Sequence, residues 1–167
     1  GSFFHDLYHH RAGSDKMTHW LDDTPFNILH ARELMTLFPD MRLLHIHRHP
    51  LDVVASYRTK PWGGHETETI AQRLSNVLQK WLAIRDQLLS QMFMEINLVL
   101  LLDNPKEVLA DLCGFAGLEP NQALIEAAEK LVPADTHSGR WKNDLSPQEA
   151  DQCRELFRQF MTAYGYV

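Results

Sequence analysis

Two cysteines are all that this chain of 167 residues contains, and Cys113 and Cys153 both fall in apolar, helix-like patterns. A disulfide framework is thereby excluded, and both thiols are expected to be buried and free. No apolar run approaches the ~20 residues that a membrane helix needs. No secretory leader is recognisable either, so the cytoplasm is the expected location. Positive charge is in short supply: 16 Lys and Arg against 22 Asp and Glu leave a net charge of −6. That balance argues against a general nucleic-acid binder, and it requires any anionic ligand to be held by locally clustered cations. Internal repeats and low-complexity tracts are missing. So is any Gly-x-x-x-x-Gly-Lys-Ser/Thr stretch, which sets aside a nucleotide kinase-like phosphotransferase.

What remains is an ordinary globular composition, 44% hydrophobic and 23% charged, in a length that suits a single domain spanning 1–167. The first nineteen residues are His-rich and aperiodic and read as a partly helical lead-in, and Gly1-Ser2 has the form of a tag remnant. Apolar spacing predicts a short amphipathic helix over 27–38, a strand over 41–47 and a helix over 50–58. A glycine-punctuated loop follows at Pro61-Trp62-Gly63-Gly64-His65, then a long helix over 68–92. Ile96 to Leu102 reads as a second apolar strand, of the kind found in parallel sheets covered on both faces. Asn104-Pro105-Lys106-Glu107 reads as a capped helix start, and Ser146-Pro147-Gln148-Glu149 repeats that logic before the last helix. Another helix is expected over 121–131. The pattern is α/β, a parallel sheet flanked by helices, with more helix than strand.

The most telling stretch is Leu43-Leu44-His45-Ile46-His47-Arg48-His49-Pro50-Leu51-Asp52-Val53-Val54-Ala55-Ser56. Its layout puts Arg48 at the carboxyl end of a strand, where open α/β sheets bind ligands. Ser56 follows two helical turns later, able to face the same crevice. An arginine fork with a hydroxyl is a natural phosphate cradle, because guanidinium matches phosphate oxygens bidentately. The competing reading makes Arg48 an ion-pair partner of Asp52. His45, His47 and His49 alternate at strand spacing and would share one face. Imidazoles are common zinc ligands. Yet no His-Glu-x-x-His or carboxylate cluster accompanies these three, so packing in the sheet or beside a ligand is favoured and no metal is expected.

Phe38-Pro39-Asp40-Met41-Arg42 followed by Arg48-His49-Pro50-Leu51-Asp52-Val53-Val54-Ala55-Ser56 resembles the sulfotransferase family. Trp20-Leu21-Asp22-Asp23-Thr24-Pro25 is similar to an element upstream of the family's strand. Asp103-Asn104-Pro105-Lys106-Glu107-Val108-Leu109 is similar to the start of a later helix. Ser138-Gly139-Arg140-Trp141-Lys142, with Leu145-Ser146-Pro147-Gln148-Glu149 and Tyr164-Gly165-Tyr166, is similar to the C-terminal signature. The resemblance implies a P-loop NTPase-like topology and sulfuryl transfer from 3′-phosphoadenosine 5′-phosphosulfate (PAPS) to a hydroxyl or amine of a small molecule or glycan. It implies that Arg48 and Ser56 bind the 3′-phosphate of PAPS.

Two elements of the family pattern are absent. No Gly/Ser/Thr-rich phosphate loop precedes Trp20, since Gly13-Ser14-Asp15-Lys16 has neither a strand before it nor a second glycine. Leu98-Val99-Leu100-Leu101-Leu102 also runs straight into Asp103, without the family's Tyr-Glu-Asp-Leu. Segments are therefore expected to be missing upstream and within, and a non-catalytic 3′-phosphonucleotide-binding or interaction domain stands as the alternative.

Ser138, Arg140, Trp141 and Lys142 lie in a glycine-punctuated loop, two cations beside an indole. The resemblance has this loop contact the nucleotide, and Gly139 would let it swing closed. Read without the resemblance, it is a surface loop with Trp141 tucked into the core. For the base that deprotonates the acceptor, the resemblance points to Asp23, His19 and Asp22, or equally to a glutamate on a missing segment. The competing role of Asp22 and Asp23 is turn chemistry ahead of Thr24-Pro25.

Overall fold

The computed structural model describes residues 19–131 and 138–166. The lead-in through 18, including Gly13-Ser14-Asp15-Lys16, and residues 132–137 lie outside the described residues. The chain divides into two compact units between Met41 and Arg42.

The first unit is short. A 3₁₀ turn, Pro25–His30, leads directly into helix α1, Ala31–Leu37. The single helix expected over 27–38 is thus split. Pro25 fixes φ and lacks an N–H, which suits the tight first turn, and the chain settles into α geometry only from Ala31. Trp20 meets Phe38 edge-to-face, with ring centroids 5.6 Å apart.

The second unit is built on β1, Leu43–His47, and β2, Phe93–Asn97, which pair in parallel. A parallel return requires a long crossover, supplied by α2, Pro50–Arg58, and α3, Thr67–Arg85. After β2 come α4, Leu98–Asp103, and α5, Pro105–Ala116. Then follow α6, Gln122–Leu131, α7, Trp141–Asp144, and α8, Pro147–Tyr164. Among the described residues the sheet has two strands, and the other regular elements are helical.

The core joins three helices. Leu51, Val54 and Ala55 of α2 meet Ile70 and Ala71 of α3 and Ala150, Cys153, Phe157 and Met161 of α8. Burying such side chains supplies most of the driving force, about 1.5–3 kcal/mol for a large aliphatic one. The capping box at Ser146 is formed as expected, with Ser146 Oγ accepting from the Glu149 N–H and Glu149 accepting from the Ser146 N–H. Glu149 also accepts from Thr67 Oγ1 at 2.5 Å, tying the start of α8 to the start of α3. Cys113 and Cys153 are buried free thiols.

Three expectations need correction. The second strand lies at Phe93–Asn97, not at Ile96 to Leu102, and Leu98–Asp103 is helix. An apolar run has no period to separate strand from helix. Here leucine's helix preference wins because Asn97 caps the segment, its side chain accepting from the Val99 N–H at 2.8 Å. The long helix stops at Arg85, well short of 92, since the chain must reverse to enter β2. Asn104 makes no side-chain cap bond, and its backbone N–H, which a capping glutamate would take, donates instead to the Leu100 carbonyl at 2.8 Å as α4 ends.

Candidate functional site

Strand β1 ends at His47, so Arg48 leaves its carboxyl end just before Pro50 opens α2. Arg48 is half-buried, and its Nη2 donates to the backbone carbonyl of Asp52 at 2.7 Å. The Asp52 carboxylate is engaged elsewhere. Its Oδ2 accepts from the Gly139 N–H at 2.9 Å, and its Oδ1 accepts from the Trp141 N–H at 3.1 Å. At 2% exposure it is a buried carboxylate, and two backbone donors provide the partners such a group requires. The loop at Ser138 to Lys142 is therefore fastened to the residue that also holds Arg48. A free swing about Gly139, as the sequence suggests, is opposed by these two bonds, although Gly139 does take a left-handed φ of +76°.

The electrostatics fit an anion. Burial lowers the pKa of Arg48; Asp52 pulls it back up, and the nearby guanidinium of Arg140 pushes it down again. An arginine stays ionised at neutral pH, so two like charges are held within repelling range. Arg140 is partly compensated by Asp144, which accepts from its Nε at 2.6 Å. Lys142 Nζ lies 5.8 Å and the Arg154 guanidinium carbon 5.0 Å from the centre of the Trp141 ring. The His49 ring stacks on Trp141 at 5.6 Å and 18°. Its Nδ1 accepts from the Leu51 N–H at 3.3 Å. Burial lowers its pKa first; Asp52 opposes this, and Arg154 and Lys142 add to it. Local cations thus cluster on a chain of net charge −6.

Arg48, Arg140, Trp141 and Lys142 are accordingly brought together around Asp52 and His49. Ser56 is half-buried, one turn beyond Asp52 and on the same face of α2. Ser138 is exposed beside Gly139. Trp141 is half-buried and packs against the core cluster, so the indole also anchors the loop. His19, Asp22 and Asp23 are exposed in the first unit. Asp22 Oδ1 accepts from the Thr24 N–H at 2.9 Å, and hydrogen bonds from Thr24 hold its pKa below the ordinary value. This is turn chemistry ahead of Thr24-Pro25.

Two features escape the sequence. One is Asp52 as the hub of the loop; its signal was a carboxylate set among Leu51, Val54 and Ala55, which needs donors once the helix is buried. The other is a polar network on the sheet. Glu95 accepts from His45 Nδ1 at 3.1 Å, from Trp81 Nε1 at 2.9 Å and from Tyr164 Oη. Burial alone would raise its pKa, but these bonds, led by His45, bring it down to about 2. His45 and His47 share this face, whereas His49 lies beyond the strand and caps α2 instead. Among the described residues no group of three His, Cys, Asp or Glu is placed to hold a metal ion. Nor is any described helix long and apolar enough to cross a membrane.

Comparison with known proteins bears on this arrangement. Residues 2–122, well over half of the chain, match the family model described as "Sulfotransferase family". The chain belongs to the sulfotransferase family. Arg48 and Ser56 fall inside the matched region, and the loop at Ser138 lies beyond it. Among solved structures, mouse sulfotransferase SULT7A1, crystallised with PAP, is similar with a TM-score of 0.56 at 12% identity. The match covers 77% of this chain and 60% of that one, so the chain spans about three-fifths of that protein's length. The likeness shows a sulfotransferase fold, helix-rich with a small parallel sheet. No curated protein matches the chain.

Proposed function

We propose that this chain forms the 3′-phosphate side of a PAPS site in an enzyme that sulfates a hydroxyl or amine of a small molecule or glycan. The observation that carries the reading is the convergence of Arg48 and the Arg140 loop on Asp52, with Ser56 on the same helix face. Two guanidiniums and a hydroxyl provide charge-assisted donors to phosphate oxygens, and a bound anion would relieve the repulsion between Arg48 and Arg140. In the reaction the acceptor oxygen or nitrogen bonds to sulfur and the bond from sulfur to the 5′-phosphate oxygen breaks. The acceptor's proton passes to a base, and 3′-phosphoadenosine 5′-phosphate (PAP) departs. Asp23 and His19 are the proposed bases; Asp22 is the weaker candidate, because its lowered pKa reduces its basicity.

Calorimetry with PAP and with 5′-AMP tests the site. PAP should bind at least tenfold more tightly, since each charge-assisted bond contributes about 1.5–3 kcal/mol. Equal affinities would overturn the assignment. The same cationic cluster around Asp52 would serve one second reading, a non-catalytic domain that binds 3′-phosphonucleotides. PAP binding without transfer of labelled sulfate from PAPS to phenol, sugar or amine acceptors would select it.

A further inference from the structure

We propose that Asp52 is the positioning residue of this site, coupling the loop at Ser138 to Lys142 to Arg48 so that the two cationic elements act on one anion. The inference rests on the nucleotide reading above but depends on different groups, since Asp52 itself touches no phosphate. Its carboxylate receives two loop N–H groups and its carbonyl receives the Arg48 guanidinium. One residue, 2% exposed and fixed by the core residues Leu51, Val54 and Ala55, thus determines both positions.

The chemistry favours an acid over its amide. A carboxylate offers acceptors on both oxygens, matching the N–H groups of Gly139 and Trp141. An amide at 52 would turn its own NH2 toward one of them, leaving a donor facing a donor in a buried place. The loop would then detach at Gly139 or Trp141, and Arg140 would lose its setting against Arg48. Because Arg48 reaches the backbone carbonyl, its own bond survives a change at the carboxylate.

The test uses Asp52→Asn with two readouts. Without nucleotide, limited trypsin digestion read by mass should cleave after Arg140 or Lys142 at least tenfold faster than in the wild type, well below the melting temperature. With nucleotide, PAP affinity should fall about tenfold while 5′-AMP affinity stays within twofold, because the loss of one buried, charge-assisted bond is a factor of about ten or more. Unchanged cleavage together with an unchanged PAP to 5′-AMP ratio would overturn the proposal.

Gly139→Ala provides a second handle if Asp52→Asn does not fold. A Cβ there meets nothing within 4 Å, but the φ of +76° strains it, so the loop is loosened with Asp52 intact. The same two changes, smaller in size, are expected; their absence would count against the coupling. A wild type that binds PAP and 5′-AMP equally would remove the nucleotide reading, and the digestion readout would still decide whether Asp52 holds the loop.

Discussion

His45 and Glu95 are register partners on the two parallel strands, and the imidazole Nδ1 donates to the carboxylate Oε1 at 3.1 Å. Around this pair the sheet and two helices are joined by polar bonds rather than by apolar packing alone. Trp81 of α3 and Tyr164 of α8 both donate to the same carboxylate oxygen, and Trp81 also donates to Tyr164 Oη at 2.9 Å. Arg85 lies 3.7 Å from the second oxygen.

Glu95→Ala is expected to destabilise the fold by about 2–4 kcal/mol, because it removes the acceptor shared by His45, Trp81 and Tyr164 and leaves the buried His45 Nδ1 without its partner. Urea denaturation measures it; a loss below about 0.5 kcal/mol would mean that the donors find water. Glu95 has its pKa lowered from 4.5 to about 2 in the folded state. A lowered carboxylate pKa means that the unfolded chain binds the proton more readily. Its contribution is therefore present above pH 4.5 and lost as pH falls toward 2. Glu95→Gln should show a shallower decline in stability over that interval.

His47 predicts a second pH effect, nearer neutrality. Asn97 Nδ2 donates to Tyr166 Oη at 3.3 Å, which leaves the Tyr166 hydroxyl proton to reach His47 Nδ1 at 2.7 Å. Protonation at Nδ1 would break that chain. Burial, then the neighbouring His45, lowers the His47 pKa from 6.5 to about 4. The unfolded state takes up the proton first, so stability should decline as pH falls from 6.5 to 4. In His47→Gln the slope across that window should flatten in thermal melts, and an unaltered slope would assign the effect to other groups.

Arg48→Ala should remove most of the preference for PAP over 5′-AMP, and Arg48→Lys should restore only part of it. Lysine supplies the charge but not the planar fork that meets two phosphate oxygens. Isothermal titration of both variants with both nucleotides is the measurement. Full recovery in Arg48→Lys would show that a point charge suffices.

Arg140→Ala should weaken PAP binding while stability changes by less than about 0.5 kcal/mol, because its partner Asp144 is an i,i+4 pair at the surface. A large drop in melting temperature would make Arg140 a fold-holding residue instead.

Elements whose signals are local can be read directly from the chain. Strand β1, Arg48 at its end and α2 after Pro50 were legible from an apolar run, a proline and helical spacing. The capping box at Ser146 and Glu149 was legible because both partners lie three residues apart. Periodicity failed where no period exists. Leu98 to Leu102 became helix, and Glu95, inside the real strand, went unassigned. Contacts between distant parts of the chain are set by packing. The bonds from Asp52 to Gly139 and Trp141, 87 and 89 residues away, arise because a buried carboxylate must find donors wherever packing brings them. The pairing of His45 with Glu95 depends on the parallel register, which no local pattern encodes.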